Sequence, residues 1–201
     1  MLTLQIILGS VREGRGGAAV ARWFEEAAQR DARFRTELVD LKALALPLMD
    51  EPNHPRLARY THEHTKRFSH IIDRADAYVF VTTEYNFGIP GALKNALDYL
   101  AQEWKGKPMS IISYGGISGA LRAAEDLRRV GVALNMVPLN HNVVAPLYRQ
   151  QCDEAGHFSP NPTQIEAARD MLDALAEWGA MLRERRMRLE PAGTVTAATG
   201  P

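Results

Sequence analysis

The sequence predicts an α/β fold, a single doubly wound parallel sheet of five strands with helices on both faces. Three observations carry this. Short uncharged runs alternate along the chain with stretches whose apolar residues recur at helical spacing. The run Ala77 to Thr83 is β-branched and aromatic with no charge inside it, as expected of a strand buried on both faces. Ligand-like loops follow three of the strands, at the sheet edge where open α/β folds bind small molecules.

Composition bounds the rest. With 201 residues, 46% of them hydrophobic, the chain can fill one substantial core, and residues 1–188 are expected to form one domain. From Leu189 onward the small, Pro/Gly/Thr-rich tail, 189–201, is expected to be disordered. Twenty-four basic and 24 acidic residues cancel, which argues against a nucleic-acid partner. Cys152 is the only cysteine, so an intramolecular disulfide and any multi-cysteine metal site are excluded. No apolar run reaches the roughly 18 residues of a membrane span, and Met1 leads directly into a strand. A cytoplasmic protein with no membrane association is expected.

Leu2 to Leu8 reads as strand one, and Val20, Trp23, Phe24 and Ala27 as the apolar face of helix one. The loop between them contains Gly9, Ser10, Arg12, Gly14, Arg15, Gly16 and Gly17. Glycines let backbone N–H groups converge, Ser10 offers a hydroxyl, the arginines offer charge, and the helix N-terminus adds its partial positive end. Together these suit an anion. No Gly-Lys-Ser/Thr closes a Walker loop. Gly14-x-Gly16-x-x-Ala19 matches the dinucleotide fingerprint only as a string, because the tight turn after the strand belongs to Gly9.

Phe34 to Leu41 reads as strand two, near an edge, and the prolines of residues 44–55 make an irregular connection. A polar helix is expected from about Arg56 to Asp73, resting on Phe68, Ile71 and Ile72. It carries His62 and His64, whose spacing does not place two rings on one helix face, so they read as solvated. Strand three then opens on Thr83, Glu84, Tyr85, Asn86, Phe87 and Gly88. Tyr85 and Phe87 offer flat faces for a planar ring and Asn86 offers hydrogen bonds. Pro90 starts a helix bearing Leu93, Ala96, Leu97 and Leu100 on one face.

Met109 to Ser113 reads as strand four, ending in Tyr114, Gly115, Gly116, Ile117, Ser118 and Gly119. Its glycines permit close approach of a flat ligand, and Ser118 can cap or donate. A helix follows from Ala120. Strand five is expected over residues 133–144, interrupted at Pro138, with Asn140, His141 and Asn142 making its far end polar. Thr163-x-x-Glu166 matches a capping box for a last helix whose stripe is Ile165, Ala168, Leu172, Leu175, Ala176 and Leu182.

The run Glu84-Tyr85-Asn86, then Pro90 and Leu93-Lys94-Asn95-Ala96-Leu97-Asp98, closely resembles the signature of the NADPH-dependent FMN reductase family. Gly-Ser-x-Arg-x-x-Arg-Gly-Gly in loop one and Ser-Tyr-Gly-Gly in loop four resemble the same family, which usually has Pro where this chain has Thr83. The resemblance implies a flavodoxin-like sheet of order 2-1-3-4-5, with loops one, three and four around the strand-order switch. It implies FMN as cofactor, NADPH or NADH as co-substrate, and a quinone, free flavin or similar small molecule as acceptor. Ser10, Arg12, Arg15, Gly16 and Gly17 would hold the phosphate. Thr83, Glu84, Tyr85, Asn86, Phe87, Tyr114, Gly115, Gly116 and Ser118 would border the ring system. No catalytic acid or base is assigned, since the cofactor carries the chemistry. Relatives often have a small polar residue at position 17. A homodimer or dimer of dimers is implied too, with Tyr99 and Trp104 as interface or core aromatics. The second reading is a flavodoxin-type FMN electron carrier. Neutral charge and the arginines of loop one weigh against it.

Overall fold

The computed structural model describes residues 1–189. Along the chain they form β1 (Leu2–Leu8), α1 (Gly17–Gln29), β2 (Phe34–Asp40), α2 (Leu41–Leu44), α3 (Glu63–Asp73), β3 (Ala77–Thr82), α4 (Gly91–Tyr99), β4 (Pro108–Tyr114), α5 (Leu121–Ala133), β5 (Val137–Pro138), β6 (Val143–Ala145) and α6 (Pro162–Leu189). The sheet is parallel throughout, ordered β2-β1-β3-β4-β5, with β6 also paired to β4. β1 therefore lies between β2 and β3, and the chain reverses its direction of travel across the sheet at β1, the expected switch point.

β3 is buried at every position, so both sheet faces are covered. Val79 and Val81 pack with Leu4, Ile6 and Leu8 against Val20 and Phe24 of α1 and Met171 and Leu175 of α6. Tyr78 and Phe80 point the other way, against Phe68 and Ile72 of α3, Leu93 and Leu97 of α4, and Leu127 of α5. Strand alternation thus assigns each helix its side. Tyr99 and Trp104 are fully buried in the second cluster, which makes them core residues and removes them as interface aromatics.

Several expected boundaries move, each for a local reason. The expected helix from Arg56 begins only at Glu63; Pro55–Leu57 makes a single 3-10 turn that ends on Ala58 at a φ of 48°, where the helical path stops. His62 consequently stands outside the helix as its N-terminal flank. Its ring stacks on His64, with centroids 5.3 Å apart, contrary to the spacing argument. Strand five is two short strands, because Pro138 has no N–H to continue the ladder. The polar run lies between them and serves the sheet: Asn142 Oδ1 accepts the Ile111 N–H at 3.0 Å. α6 starts at Pro162, one residue before Thr163. Asn161 Oδ1 accepts from Gln164 N–H, and Gln164 Oε1 accepts from Asn161 N–H, both at 2.9 Å, so the capping box is Asn161 with Gln164. Within α6, Met171, Ala174 and Gly179 are buried while Ile165 is exposed. Leu189, the first residue of the expected tail, still belongs to that helix, and the remainder of the tail lies outside the described residues.

Candidate cofactor site

Loops one, three and four meet at the carboxyl edge of β1, β3 and β4. Loop one leaves β1 at Gly9, turns at Gly14 with φ 64°, and enters α1. Ser10 is fully buried, and its Oγ lies 2.7 Å from Tyr85 Oη, tying loop one to loop three. Arg15 turns inward. Its guanidinium donates to Ser10 O at 2.7 Å and, in a two-pronged pair, to Asp40 Oδ1 at 2.8 Å and Oδ2 at 2.5 Å. Asp40 is within reach because β1 and β2 place it opposite Leu8. Arg12 is exposed and makes no hydrogen bond among the described residues, which leaves it the free cation of the loop. Glu13 is drawn away by Lys42 at 2.5 Å, whose ammonium hydrogen-bonds to it and holds its carboxyl below the usual range. The N-terminus of α1 has no side-chain cap and no acid in its first turn, so no capping side chain competes with an anion there.

The glycines at that terminus are a matter of space. A Cβ on Gly16 would overlap the Tyr148 ring, and one on Gly17 would overlap the Tyr114 hydroxyl and lie 2.7 Å from its Cζ. The two rings meet edge to face with centroids 5.1 Å apart.

Loop three is a tight hairpin turn. Tyr85 and Gly88 exchange both backbone hydrogen bonds, at 3.0 and 3.1 Å, and Asn86 and Phe87 between them take φ values of 49° and 72°. A bulky residue in the left-handed region costs about 1–2 kcal/mol, and such strain persists only where neighbours hold it. Arg122 does so. Its guanidinium lies 4.1 Å from the Phe87 ring centroid and donates through Nε to Glu84 Oε1 at 2.9 Å, with Nη2 joining the same carboxylate. The Glu84 side chain is 10% exposed and also accepts the Ala123 N–H at 3.3 Å. Phe87 itself stands 69% exposed, its face offered outward. An open depression of about 650 Å³ lies beside it, reaching Leu121, Arg122 and Arg129.

Loop four leaves β4 at Tyr114 and is braced from behind by the segment after β6. Gly116 O accepts from Leu147 N–H at 2.9 Å and Gly115 O from Tyr148 N–H at 3.3 Å. A Cβ on Gly116 would meet open space, so here the glycine leaves room on the cleft side. Ser118 does not cap α5; its hydroxyl lies 3.3 Å from Arg122 Nη2.

The geometry thus gathers Ser10, Arg15, Gly16, Gly17, Tyr85 and Tyr114 into one cluster and Glu84, Phe87 and Ser118 into a second, joined by Arg122. Thr83, Asn86, Gly115 and Gly116 lie on the connecting loops. Tyr60 donates to Glu103, and His64 pairs with Asp50 beside Tyr99, at the far end of α4. Asp40, Arg122 and Tyr148 were not singled out from the sequence. Asp40 carried a signal, a carboxylate at the end of the strand adjoining an arginine loop. Among the described residues no cluster of three or more His, Cys, Asp or Glu side chains could hold a metal ion, and no helix is long and apolar enough to cross a membrane.

A parallel sheet ordered 2-1-3-4-5, with its loops gathered at the strand-order switch, is the architecture of a flavodoxin-like α/β protein. The comparisons with known proteins narrow this. Residues 2–150 match the family described as NADPH-dependent FMN reductase, and the chain belongs to that family. An NAD(P)H-dependent FMN reductase of Schizosaccharomyces pombe is 45% identical over 133 residues, covering 65% of this chain and 66% of that protein, just under two thirds of its length. A 2-hydroxy-1,4-benzoquinone reductase of a Burkholderia species is 30% identical over 194 residues, covering 92% of this chain and 99% of the relative. In fold the chain is similar to FerB, a flavoenzyme NAD(P)H:(acceptor) oxidoreductase from Paracoccus denitrificans, with a TM-score of 0.72 at 23% identity over 90% of this chain and 98% of that one.

Proposed function

We propose that this protein is an FMN-dependent oxidoreductase that takes hydride from NADPH or NADH and reduces a quinone, a free flavin or a similar small acceptor. The observation that supports it most is the pairing of an open anion site at the α1 N-terminus with aromatic and glycine loops on the same sheet edge. The residues present fit FMN. The uncapped helix end and the free Arg12 suit a phosphate, the buried Tyr114 hydroxyl has no partner among the described residues, and Gly116 leaves a cradle beside loop four.

In this reading Arg12 and the N–H groups of loop one hold the phosphate, while Arg15, fixed on Asp40, sets the loop's shape. Asn86, Gly115 and Gly116 bring backbone and amide groups to the ring edge. Phe87, propped by Arg122, offers a flat wall to whatever stacks in the cleft. Bound FMN would supply hydride acceptance from the nicotinamide and onward delivery of two electrons. The protein positions and shields, and no side-chain acid or base is required. The sequences of the relatives support the enzyme over the electron carrier.

We extend the reading to a homodimer or dimer of dimers in the cytoplasm, on the family resemblance. Light scattering at micromolar concentration should give twice or four times the chain mass, and a monomer would reject the assembly. The activity is tested by anaerobic NADPH and NADH oxidation with FMN and benzoquinone. FMN-dependent consumption of at least one nucleotide is expected, and none with either would reject the reading.

A further inference from the structure

Residue 17, where α1 begins, is a glycine. A glycine there gives the anion site no side-chain donor, at the first residue of α1, where one would be most useful. Another group occupies that place. The volume of a side chain on Gly17 is filled by the hydroxyl of Tyr114, which arrives from the end of β4 across the sheet edge. Tyr114 is 2% exposed and belongs to the core cluster under α1. Tyr148 packs edge to face against its ring, and Gly16 in turn is a glycine because Tyr148 fills the space beside it.

The hydroxyl so placed is buried and meets no well-aligned hydrogen-bond partner among the described residues; the Gly17 N–H beside it can only donate, which leaves the phenol proton without an acceptor. Its polar neighbours are the Gly17 N–H and the Ser10 hydroxyl, and the latter is engaged with Tyr85 at 2.7 Å. Burial, reinforced by the nearby Tyr85 phenol, pushes the Tyr114 hydroxyl up to about 12, so at neutral pH it keeps its proton and can donate. A buried hydroxyl without a partner is costly, and an ordered water or a ligand atom can complete it. Here it accompanies an uncapped helix N-terminus with no acid in the first turn, and both features call for an acceptor with negative charge.

We propose that Tyr114 is a ligand of the cofactor phosphate, its hydroxyl donating to a phosphate oxygen at the α1 N-terminus in place of the side chain that Gly17 lacks. Gly17 is then a glycine in order to admit the phenol. The assignment rests on the FMN reading above and moves Tyr114 from the ring border, where the family resemblance placed it, to the opposite end of the cofactor. It also predicts that Tyr114 contributes to discrimination between FMN and riboflavin, which share the ring but not the phosphate.

The test is a comparison of dissociation constants for FMN and riboflavin, read by quenching of flavin fluorescence, in the natural protein and in Tyr114→Phe. The substitution keeps the ring and its packing and removes only the oxygen, and a far-ultraviolet circular dichroism spectrum with a melting curve establishes that the fold is retained. A charge-assisted hydrogen bond lost should weaken FMN binding roughly ten- to a hundredfold. Riboflavin binding should be unchanged, and stabilisation of the apoprotein by inorganic phosphate should shrink. Unchanged FMN binding in Tyr114→Phe would overturn the assignment, as would equal weakening of FMN and riboflavin, which would return the phenol to the ring or ribityl chain. Failure of the natural protein to bind either flavin would remove the FMN reading and this assignment with it.

Discussion

Arg12 and Arg15 stand three residues apart in one glycine loop and serve different ends. The sequence shows two cations beside a hydroxyl and gives no ground for separating them. What separates them is Asp40, 25 positions from Arg15 and brought next to it by β1–β2 pairing. The Arg15 and Asp40 side chains are 13% and 28% exposed, so their pair is sheltered and two-pronged. Arg15→Ala should cost about 1–3 kcal/mol in denaturant unfolding. Arg12→Ala should leave the unfolding midpoint within about 0.5 kcal/mol, as for an exposed residue, while weakening FMN binding by about tenfold. The reverse pattern, a stability loss in Arg12→Ala and none in Arg15→Ala, would contradict this division. The anion loop was therefore legible as a set of residues, and the roles inside it were not, because a long-range partner decides them.

Elements were legible where periodicity is strong and obscured where a side chain stands in for backbone. β1, β3 and α4 follow directly from their apolar patterns. The start of α6 did not, because two capping strings overlap in Asn161-Pro162-Thr163-Gln164-Ile165-Glu166. Pro162 distinguishes them, since proline belongs at the first helical position and so assigns the cap to Asn161. Asn161→Ala should lower stability by about 1 kcal/mol, whereas Thr163→Ala should stay within about 0.5 kcal/mol. Equal losses in urea titrations would refute the assignment. The same obscurity hid β6, where Asn142 replaces a strand residue in the ladder, and the hairpin of loop three, whose left-handed Phe87 depends on an arginine from α5. Arg122→Ala should destabilise by about 1–3 kcal/mol, because it strands the sheltered Glu84 carboxylate, and urea unfolding should show it. No loss would mean that the hairpin holds itself.

At the scale of the molecule, the two ends of the sheet do different work. The carboxyl edge carries open loops and a strained turn, while the opposite edge carries a tight polar knot. There Lys107 is 4% exposed and donates to the carbonyls of Asp73 at 2.8 Å and Ile72 at 3.3 Å, and to Tyr78 Oη at 3.2 Å. Burial lowers its ammonium to about 8, against the attraction of Asp73. Between that value and the ordinary lysine range the unfolded chain binds more protons than the folded one, so Lys107 adds stability as pH rises from about 8 towards 10.5. Relative to Lys107→Met, the natural protein should gain on the order of 2 kcal/mol across that window, and a flat difference would show that Lys107 is fully charged in place.

The alternation of strands and helices made the global architecture legible, and with it the edge that carries the site. The most direct measurement is the visible absorbance of the purified protein after incubation with FMN and desalting, recorded anaerobically before and after NADPH or NADH. The account predicts that oxidised flavin absorbance is retained at close to one equivalent per chain and bleaches on addition of at least one of the two nucleotides. Flavin that washes away completely, or stays bound and unbleached with both nucleotides, would contradict it.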